Sequence, residues 1–571
     1  MKANLSILIA LCLIFSFTLS ACAPPAPPAP AEPAQTEVPA VTEAPAATEA
    51  PAATEAPAPT EALVATESPT EAPAEEAPNV LKVAATANIT TWDPVKSFST
   101  EALYMGNFYE SLMRINPPDA AEKFTPLLAT EWESSKDGLT WTFKIREGVK
   151  FHDGEELNAE AVKKSIEAAK EYGGASFIWL PLESIEVVDD YTVQMNLSYA
   201  APMDLVASSL YGAWIVSPKA LEASKTDEQF FEKGYEAGTG PYMLESFTPD
   251  KEILMTAFPE YWGKTDDVKH FDKVLVSIVP EAVQQQQMLD NGDVDLALSI
   301  PLENIGDYKD KEGYTFYEEP SFFDYVGFLN TTRPPLDNKL VRQAISYAIP
   351  YEDIIKIGAQ GYATQSRGPV PAGVWPYSEE TPQYTQDLEK AKALLAEAGY
   401  PDGGIKLRLT YASENQSEER FAPLIKDALA EIGIETEIQA IQFNQQWEEA
   451  KADPPNAQDI FLLYYWPTYS DAGADNLWSM FHSSEAPFFN LSYWKNDTFD
   501  TTLDDAIALT VTDPAKSQSQ YIEAMKLLVD EAPGLFFYDP KAVFAIPDRL
   551  KGFKYNLNYP FTTFFYPLYS E

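Results

Sequence analysis

The chain has 571 residues, of which 87 are Asp or Glu and 40 are Lys or Arg, so its formal net charge at pH 7 is −47. This acidic excess argues against nucleic acid and anionic membrane surfaces as partners, because both repel a protein of the same sign. The negative charge would favour the approach of cationic solutes, but net charge alone does not name a ligand.

The N-terminus has the features of a secretory signal. Lys2 precedes an apolar run from Leu5 to Phe15 that is too short to span a bilayer, so residues 1–21 are predicted to be a signal peptide. The sequence Leu19-Ser20-Ala21-Cys22 resembles the lipobox of bacterial lipoproteins, which implies that Cys22 is lipidated and anchors the mature protein to the cell membrane. The alternative is an ordinary signal peptide followed by an incidental cysteine. Loss of Cys12 with the signal would leave Cys22 as the only cysteine of the mature protein, and lipidation of Cys22 would leave no thiol for a zinc site or a nucleophile.

Residues 22–78 are predicted to form a disordered linker. They repeat units such as Thr48-Glu49-Ala50-Pro51 and contain no aromatic side chain, so they have nothing to bury. Extended polyproline geometry, at about 3.1 Å per residue, would give this segment a reach of roughly 170 Å. It is interpreted as a tether that holds the rest of the chain away from the membrane, the alternative being a tolerated tail.

The body, residues 79–571, shows alternating helix and strand patterns. Two segments alternate like strands, Leu139–Ile145 and Tyr191–Met195, and Asn158 can cap a helix between them that stops at Gly173. Asp387 can cap a second helix. Further along, a strand at 405–409, a helix at 424–432 and a strand at 434–438 predict a β-α-β unit. The body is therefore expected to be α/β and to contain more than one lobe.

The motifs of common enzyme classes are incomplete. Gly263-Lys264-Thr265 ends like a phosphate loop, but Phe258 replaces its first glycine. Asp290–Asp295 is acidic like a calcium loop, but Pro301 occupies the position of its bidentate glutamate. The three histidines, His152, His270 and His482, are far apart in the sequence. We therefore predict a protein that is not an enzyme and that holds no metal and no cofactor.

A series of short motifs runs through the body in a fixed order. They are Trp92-Asp93-Pro94, the stretch from Leu127 to Gly154, Gly238–Tyr242, Tyr261-Trp262, Asn291–Asp295, Pro335–Asn338 with Val341–Ala344, and Lys390–Leu395. Together they resemble the family 5 extracellular solute-binding proteins, which are the oligopeptide, dipeptide and nickel-type receptors of ABC importers. The resemblance covers the body from about Leu81 to its end.

The resemblance implies a two-lobed α/β fold of the periplasmic-binding-protein (Venus flytrap) type, with an extra domain inserted in the first lobe. By analogy, the first lobe would comprise residues 79–113, 202–318 and 535–571. The additional domain would comprise residues 114–201, and the other lobe, lobe III, residues 319–534. The chain would cross between the lobes near Glu318 and Gly534.

The resemblance also implies which residues hold the ligand. From the first lobe they are Ser97, Phe98, Ser99 and Thr100, and from the other lobe they are Tyr465, Trp466, Thr468, Tyr469 and Asp471. In peptide-binding members an aspartate binds the ammonium group of the ligand, but Thr468 occupies the matching position here. Asp471 is the only carboxylate between Ile460 and Gly473, so we expect it to take over that role.

The leading functional hypothesis is an extracytoplasmic lipoprotein that captures peptides or peptide-like solutes for an ABC importer. Its partners would be the ligand, the permease and ATPase subunits, and the membrane through the lipid anchor, and it would be a monomer. An oligosaccharide is the alternative ligand, because aromatic side chains crowd the segment Phe461–Trp478. Alternatives from other classes are a surface glycan-processing hydrolase and a sensor that presents its ligand to a membrane receptor.

Overall fold

A computed structural model describes residues 77–86, 89–235, 237–471, 473–483 and 489–571. The predicted signal peptide, Cys22 and the linker up to residue 76 lie outside the described residues. Within the described ranges, no helix has both the length and the apolar character needed to cross a bilayer.

Helices and strands alternate along the described chain. The strands are β1 (Val80–Ala85), β2 (Met113–Ile115), β3 (Phe124–Pro126), β4 (Ala129–Ser134), β5 (Thr140–Ile145), β6 (Leu182–Asp189), β7 (Thr192–Leu197), β8 (Tyr242–Thr248), β9 (Glu252–Ala257), β10 (Lys273–Ile278), β11 (Leu296–Ala297), β12 (Tyr314–Glu319), β13 (Asp324–Leu329), β14 (Ala363–Thr364), β15 (Ile405–Ala412), β16 (Ile434–Ile441), β17 (Ile460–Tyr465), β18 (Gly534–Pro540), β19 (Ala542–Pro547), β20 (Leu550–Lys551) and β21 (Tyr569–Ser570). The α-helices are α1 (Ala102–Met105), α2 (Ala159–Tyr172), α3 (Met203–Val206), α4 (Pro218–Ser224), α5 (Ala282–Asn291), α6 (Leu302–Ile305), α7 (Lys339–Ala348), α8 (Tyr351–Gly358), α9 (Leu388–Glu397), α10 (Gln416–Glu431), α11 (Phe443–Ala452), α12 (Trp478–Phe481), α13 (Asp497–Leu509) and α14 (Pro514–Glu531).

The first lobe is built on a five-stranded sheet in the order β11-β1-β10-β9-β8. Strand β1 runs parallel to both of its neighbours, with Val83 opposite Val276 on one side and Leu296 on the other. Strands β9 and β8 extend the sheet in antiparallel fashion. A core of fully buried side chains, including Leu81 and Tyr242, packs against this sheet.

An antiparallel sheet in the order β4-β5-β7-β6 lies between β3 and α3 in the sequence and has a core of its own. Helix α2 packs on this sheet and begins as predicted, because the Asn158 side chain accepts a hydrogen bond from the Ala161 amide at 2.9 Å. The helix ends at Tyr172, directly before Gly173. Its apolar face, Val162, Ile166 and Ala169, is buried.

The second lobe contains a six-stranded sheet in the order β14-β18-β13-β17-β15-β16. The predicted β-α-β unit is confirmed: β15 and β16 pair in parallel, and α10 connects them. Gly433 follows that helix with φ +80°, a left-handed conformation that favours glycine. Buried side chains from the strands of this sheet belong to two hydrophobic cores.

The chain crosses between the lobes along two neighbouring strands. Strand β12 leads from the first lobe towards β13, and β19 leads back from β18. Strands β12 and β19 pair with each other, and Glu319 lies opposite Ala542. The return crossing differs from the predicted position at Gly534, because β18 pairs with β13 in the second sheet and continues to Pro540. Residues 535–540 therefore belong to the second lobe. The prediction of a two-lobed α/β fold is confirmed.

Candidate ligand-binding site

A loop that follows β17 reaches from the second lobe to the first. This loop comprises residues 466–471 and is called the Trp466 loop. Its Thr468 carbonyl oxygen accepts a hydrogen bond from Ser209 Oγ at 2.6 Å. The ring of Trp466 lies 5.5 Å, centroid to centroid, from the ring of Phe561. The loop therefore forms part of the contact between the two lobes.

Asp475 holds the Trp466 loop from inside the second lobe. Its carboxylate accepts hydrogen bonds from the Thr468 amide and from the Tyr465 hydroxyl, the latter at 3.1 Å. Burial raises the pKa of Asp475 to about 7, although both hydrogen bonds act to lower it. The carboxylate is thus a buried acceptor that keeps the loop in position.

A second carboxylate shapes the wall contributed by the first lobe. Glu101 is fully buried, and its Oε1 accepts hydrogen bonds from Ser97 Oγ at 2.9 Å and from the amides of Phe98 and Ser99 at 2.8 Å each. These bonds fold residues 97–101 into a tight turn. Sequence reasoning did not identify Glu101 as part of the site.

Between these two walls lies a cavity of about 480 Å³ (the cleft cavity). Its lining comes from both lobes and is mostly aromatic: Phe98, Ser99, Gly174, Ser176, Phe177, Phe443, Asn444, Trp447, Lys451, Leu463, Tyr464, Tyr465, Trp466, Thr468 and Phe489. The volume falls within the ~300–1,000 Å³ typical of small-molecule sites.

The aromatic rings of the cleft cavity contact one another across the two lobes. The ring of Phe489 lies 6.4 Å from that of Phe98 in the first lobe, and 5.1 Å and 5.5 Å from those of Trp447 and Tyr465 in its own lobe. Phe98 also meets Phe177 edge to face at 5.8 Å. Such walls can pack against apolar groups and against the faces of rings.

Five of the nine residues predicted to bind the ligand line the cleft cavity: Phe98, Ser99, Tyr465, Trp466 and Thr468. Ser97 is buried against Glu101. Thr100 lines a neighbouring cavity of about 670 Å³ near β19. Tyr469 lines a third cavity of about 560 Å³.

Asp471 is placed away from the cleft cavity. It is 0% exposed, and its Oδ1 accepts hydrogen bonds from the amides of Gly473 at 3.0 Å and Ala474 at 3.2 Å. A short aspartate side chain readily bonds to the backbone two residues ahead, and here that local bond turns it from the ligand space. Burial raises the pKa of Asp471 to about 6.

Ten of the lining residues were not predicted, among them Phe177, Phe443, Trp447, Lys451 and Phe489. Three of them, Phe443, Trp447 and Lys451, lie on α11 at intervals of four residues, and that spacing puts them on one face of a helix. This periodicity is a signal that the sequence does contain. Among the described residues, no group of His, Cys, Asp and Glu side chains is arranged to hold a metal ion.

Comparison with known proteins agrees with the geometry. The family described as bacterial extracellular solute-binding proteins, family 5 Middle, matches residues 123–488. The glutathione-binding protein GsiB of Salmonella typhi is 30% identical over 494 residues, covering 84% of this chain and 93% of that protein.

Solved structures show the same architecture. The ABC transporter-associated periplasmic binding protein DppA from Helicobacter pylori, in complex with the peptide STSA, aligns with a TM-score of 0.74 and 26% identity over 86% of this chain and 98% of that one. The oligopeptide-binding protein AppA from Bacillus subtilis, in complex with a nonapeptide, aligns with a TM-score of 0.73 and 22% identity over 87% and 100% of the two chains. The predicted resemblance is thus confirmed, and the chain belongs to the family 5 bacterial extracellular solute-binding proteins.

Proposed function

We propose that the protein captures peptides or peptide-like solutes between its two lobes and delivers them to the permease and ATPase subunits of an ABC importer. The observation that carries this proposal is the cleft cavity, which is lined by both lobes and walled by aromatic rings. Peptides and glutathione appear in the names of similar proteins, and a peptide backbone with apolar side chains suits such walls.

Binding is expected to couple to closure of the lobes. The paired strands β12 and β19 connect the lobes side by side, which suits a hinge motion about that connection. Contacts such as Ser209 with Thr468 and Phe98 with Phe489 form only when the walls meet. Capture and release by this motion need no chemical step, so the protein is proposed to act without catalysis.

An oligosaccharide is the second candidate ligand. Sugars stack on aromatic faces, and the cleft cavity offers rings from Phe98, Trp447 and Trp466. The residues that line it include no carboxylate to pair with an ammonium group. A neutral ligand would therefore also be accommodated.

The protein is proposed to work outside the cytoplasm as a monomer. A lipid on Cys22 would hold it at the membrane, and residues 22–78 would give the body freedom to reach its permease. One copy supplies both walls of the cleft cavity, so no second copy is needed to complete the site.

The test is calorimetric titration of the full mature chain with glutathione, with tripeptides and with malto-oligosaccharides. We expect saturable binding of a tripeptide and recovery of that peptide unchanged. Ligand at a hundred times its Kd should raise the free energy of unfolding by about 2.7 kcal/mol. Binding of the oligosaccharides alone would favour the second candidate, and cleavage of a bound ligand would contradict the transport function.

A further inference from the structure

Two of the cavities that lie between the lobes adjoin each other. The third cavity, of about 560 Å³ (the outer cavity), is lined by Tyr199, Tyr469, Trp478, His482, Asp504 and Asp505 among others. Phe177 of the first lobe lines both the cleft cavity and the outer cavity. The two cavities therefore meet at this side chain, where a ligand longer than one residue could contact both.

The two cavities carry opposite charges. Lys451 is the one charged residue among those that line the cleft cavity. The outer cavity is lined by two aspartates and by no lysine or arginine. The second lobe provides all three charged side chains, Lys451 from α11 and both aspartates from α13.

The charge in the cleft cavity has no carboxylate partner within the described part of the protein. Lys451 is exposed, and the contact recorded for its Nζ is with the ring of Trp447, 5.0 Å from the centroid. An unpaired lysine is notable here, because acidic residues outnumber basic ones 87 to 40 in the chain. Because Lys451 lines the cleft cavity, its ammonium group can meet an anionic group of a ligand there.

The negative charge of the outer cavity comes from two neighbouring residues, Asp504 and Asp505. Asp504 Oδ1 lies 3.4 Å from His482 Nε2, and the His482 ring stacks on Trp478 at 5.2 Å. Asp505 makes neither a hydrogen bond nor an ion pair with any residue that the structure describes. Asp505 is exposed and lines the same cavity as Tyr469 and Trp478, so it is the carboxylate available there to a cationic group.

We propose that a peptide lies across both cavities in one direction, with its C-terminal carboxylate at Lys451 and its N-terminal ammonium at Asp505. This inference rests on the proposed function and adds the direction of the ligand and the residues that select its two ends. It also places ammonium recognition on α13 and not at Asp471, which lies outside the linings of both cavities and whose Oδ1 is bonded to the backbone.

The experiment uses the tripeptide Ala-Phe-Ala in three forms: free at both ends, N-acetylated, and C-amidated. Each is titrated into the wild-type chain, Lys451→Gln and Asp505→Asn. Lys426→Gln and Asp427→Asn serve as matched controls, because both residues are exposed on α10 and line none of these cavities. The control variants change the net charge as the test variants do.

We expect Lys451→Gln to weaken binding of the free and acetylated forms about tenfold and to spare the amidated form, since a charge-assisted hydrogen bond is lost only where a carboxylate is present. Asp505→Asn should weaken the free and amidated forms about tenfold and spare the acetylated form. Three results would each overturn the proposed direction while leaving peptide capture intact. In the first, Lys451→Gln spares the acetylated form and Asp505→Asn spares the amidated form. In the second, each variant loses affinity equally for all three forms, and in the third, the losses are no larger than those of the controls. Failure of the wild-type chain to bind any of the three forms would overturn peptide capture as well.

Discussion

Ser209 Oγ lies 2.6 Å from the carbonyl oxygen of Thr468 in the opposite lobe and 2.8 Å from the carbonyl oxygen of Tyr211 in its own lobe. A hydroxyl group donates one hydrogen, so the two carbonyl groups compete for it. In an open form, where Thr468 has moved away, the Tyr211 carbonyl is the remaining acceptor. The hydroxyl group can therefore exchange an internal hydrogen bond for an interlobe bond as the lobes close.

We predict that Ser209→Ala favours the open form. In the open form water can serve the Tyr211 carbonyl oxygen in place of the missing hydroxyl group, whereas the closed form leaves both buried carbonyl groups without that donor. Closure would therefore lose about 1 kcal/mol, which corresponds to a severalfold weaker apparent affinity for the ligand. Small-angle scattering with and without saturating ligand would measure closure, and calorimetry would measure affinity. Ser209→Thr keeps the hydroxyl group and is the control. An affinity in Ser209→Ala equal to that of the wild type would show that this bond does not contribute to closure.

We predict that stability falls as the pH rises from about 4 to about 7, and that Asp475 is one cause. Burial raises the pKa of this carboxyl group from an ordinary 3.8 to about 7, so in this range the folded protein binds more protons than the unfolded chain. The stabilisation is complete below about pH 4 and is lost as the pH rises through the folded pKa. The slope from one group is at most about 1.4 kcal/mol per pH unit.

Asp475→Asn should flatten this part of the profile, because an amide does not titrate. Its oxygen can still accept the hydrogen bond from the Thr468 amide, so ligand binding should persist. Urea unfolding at a series of pH values would give the profile, with the exposed Asp427→Asn as control. A variant profile parallel to that of the wild type would mean that Asp475 does not contribute to the pH dependence.

Glu110 is predicted to be a structural carboxylate of the first lobe. It is 2% exposed and accepts hydrogen bonds from Thr239 Oγ1 and Trp262 Nε1 at 2.8 Å each and from the Tyr261 hydroxyl at 3.1 Å. Glu110→Ala would leave these donors buried without an acceptor and should lower the free energy of unfolding by about 3 kcal/mol.

Glu110→Gln should cost much less. Its amide oxygen can serve Thr239 and Trp262, and its amide NH₂ group can donate to the hydroxyl oxygen of Tyr261. Urea unfolding of both variants provides the comparison. Equal losses in the two variants would indicate that the charge matters rather than the hydrogen bonds.

Local structure could be predicted because neighbouring residues determine it. Asn158 and Asp387 each accept a hydrogen bond from an amide three residues ahead, so the capping pattern itself marks the start of α2 and α9. The β15-α10-β16 unit follows from the spacing of its apolar residues. The order of motifs then identified the family and, with it, the two lobes.

The site could be predicted only in part, because its geometry depends on distant contacts. Ser209 and Thr468 are 259 positions apart, and only the folded lobes bring them together. Asp471 is the carboxylate nearest in sequence to Thr468, but nearness along the chain does not give side-chain direction, and a two-residue turn takes up its Oδ1. The helical spacing of Trp447 and Lys451 indicates that they share a face, but the packing of Trp447 against Phe489 could not be predicted.

Cys22 is predicted to carry the lipid that anchors the protein, because Leu19-Ser20-Ala21 places small residues directly before it. Cys22→Ala should release the protein from the membrane fraction or leave the signal peptide uncleaved, since the acceptor thiol is gone. Cys12→Ala provides a matched control: it removes the other cysteine of the chain from within the predicted signal and should leave anchoring unchanged. Fractionation of expressing cells and mass measurement of the mature N-terminus would distinguish these outcomes. If Cys22→Ala still fractionates with the membrane and carries the same mass increment as the wild type, attachment occurs elsewhere, and the tether proposed for residues 22–78 loses its anchor point.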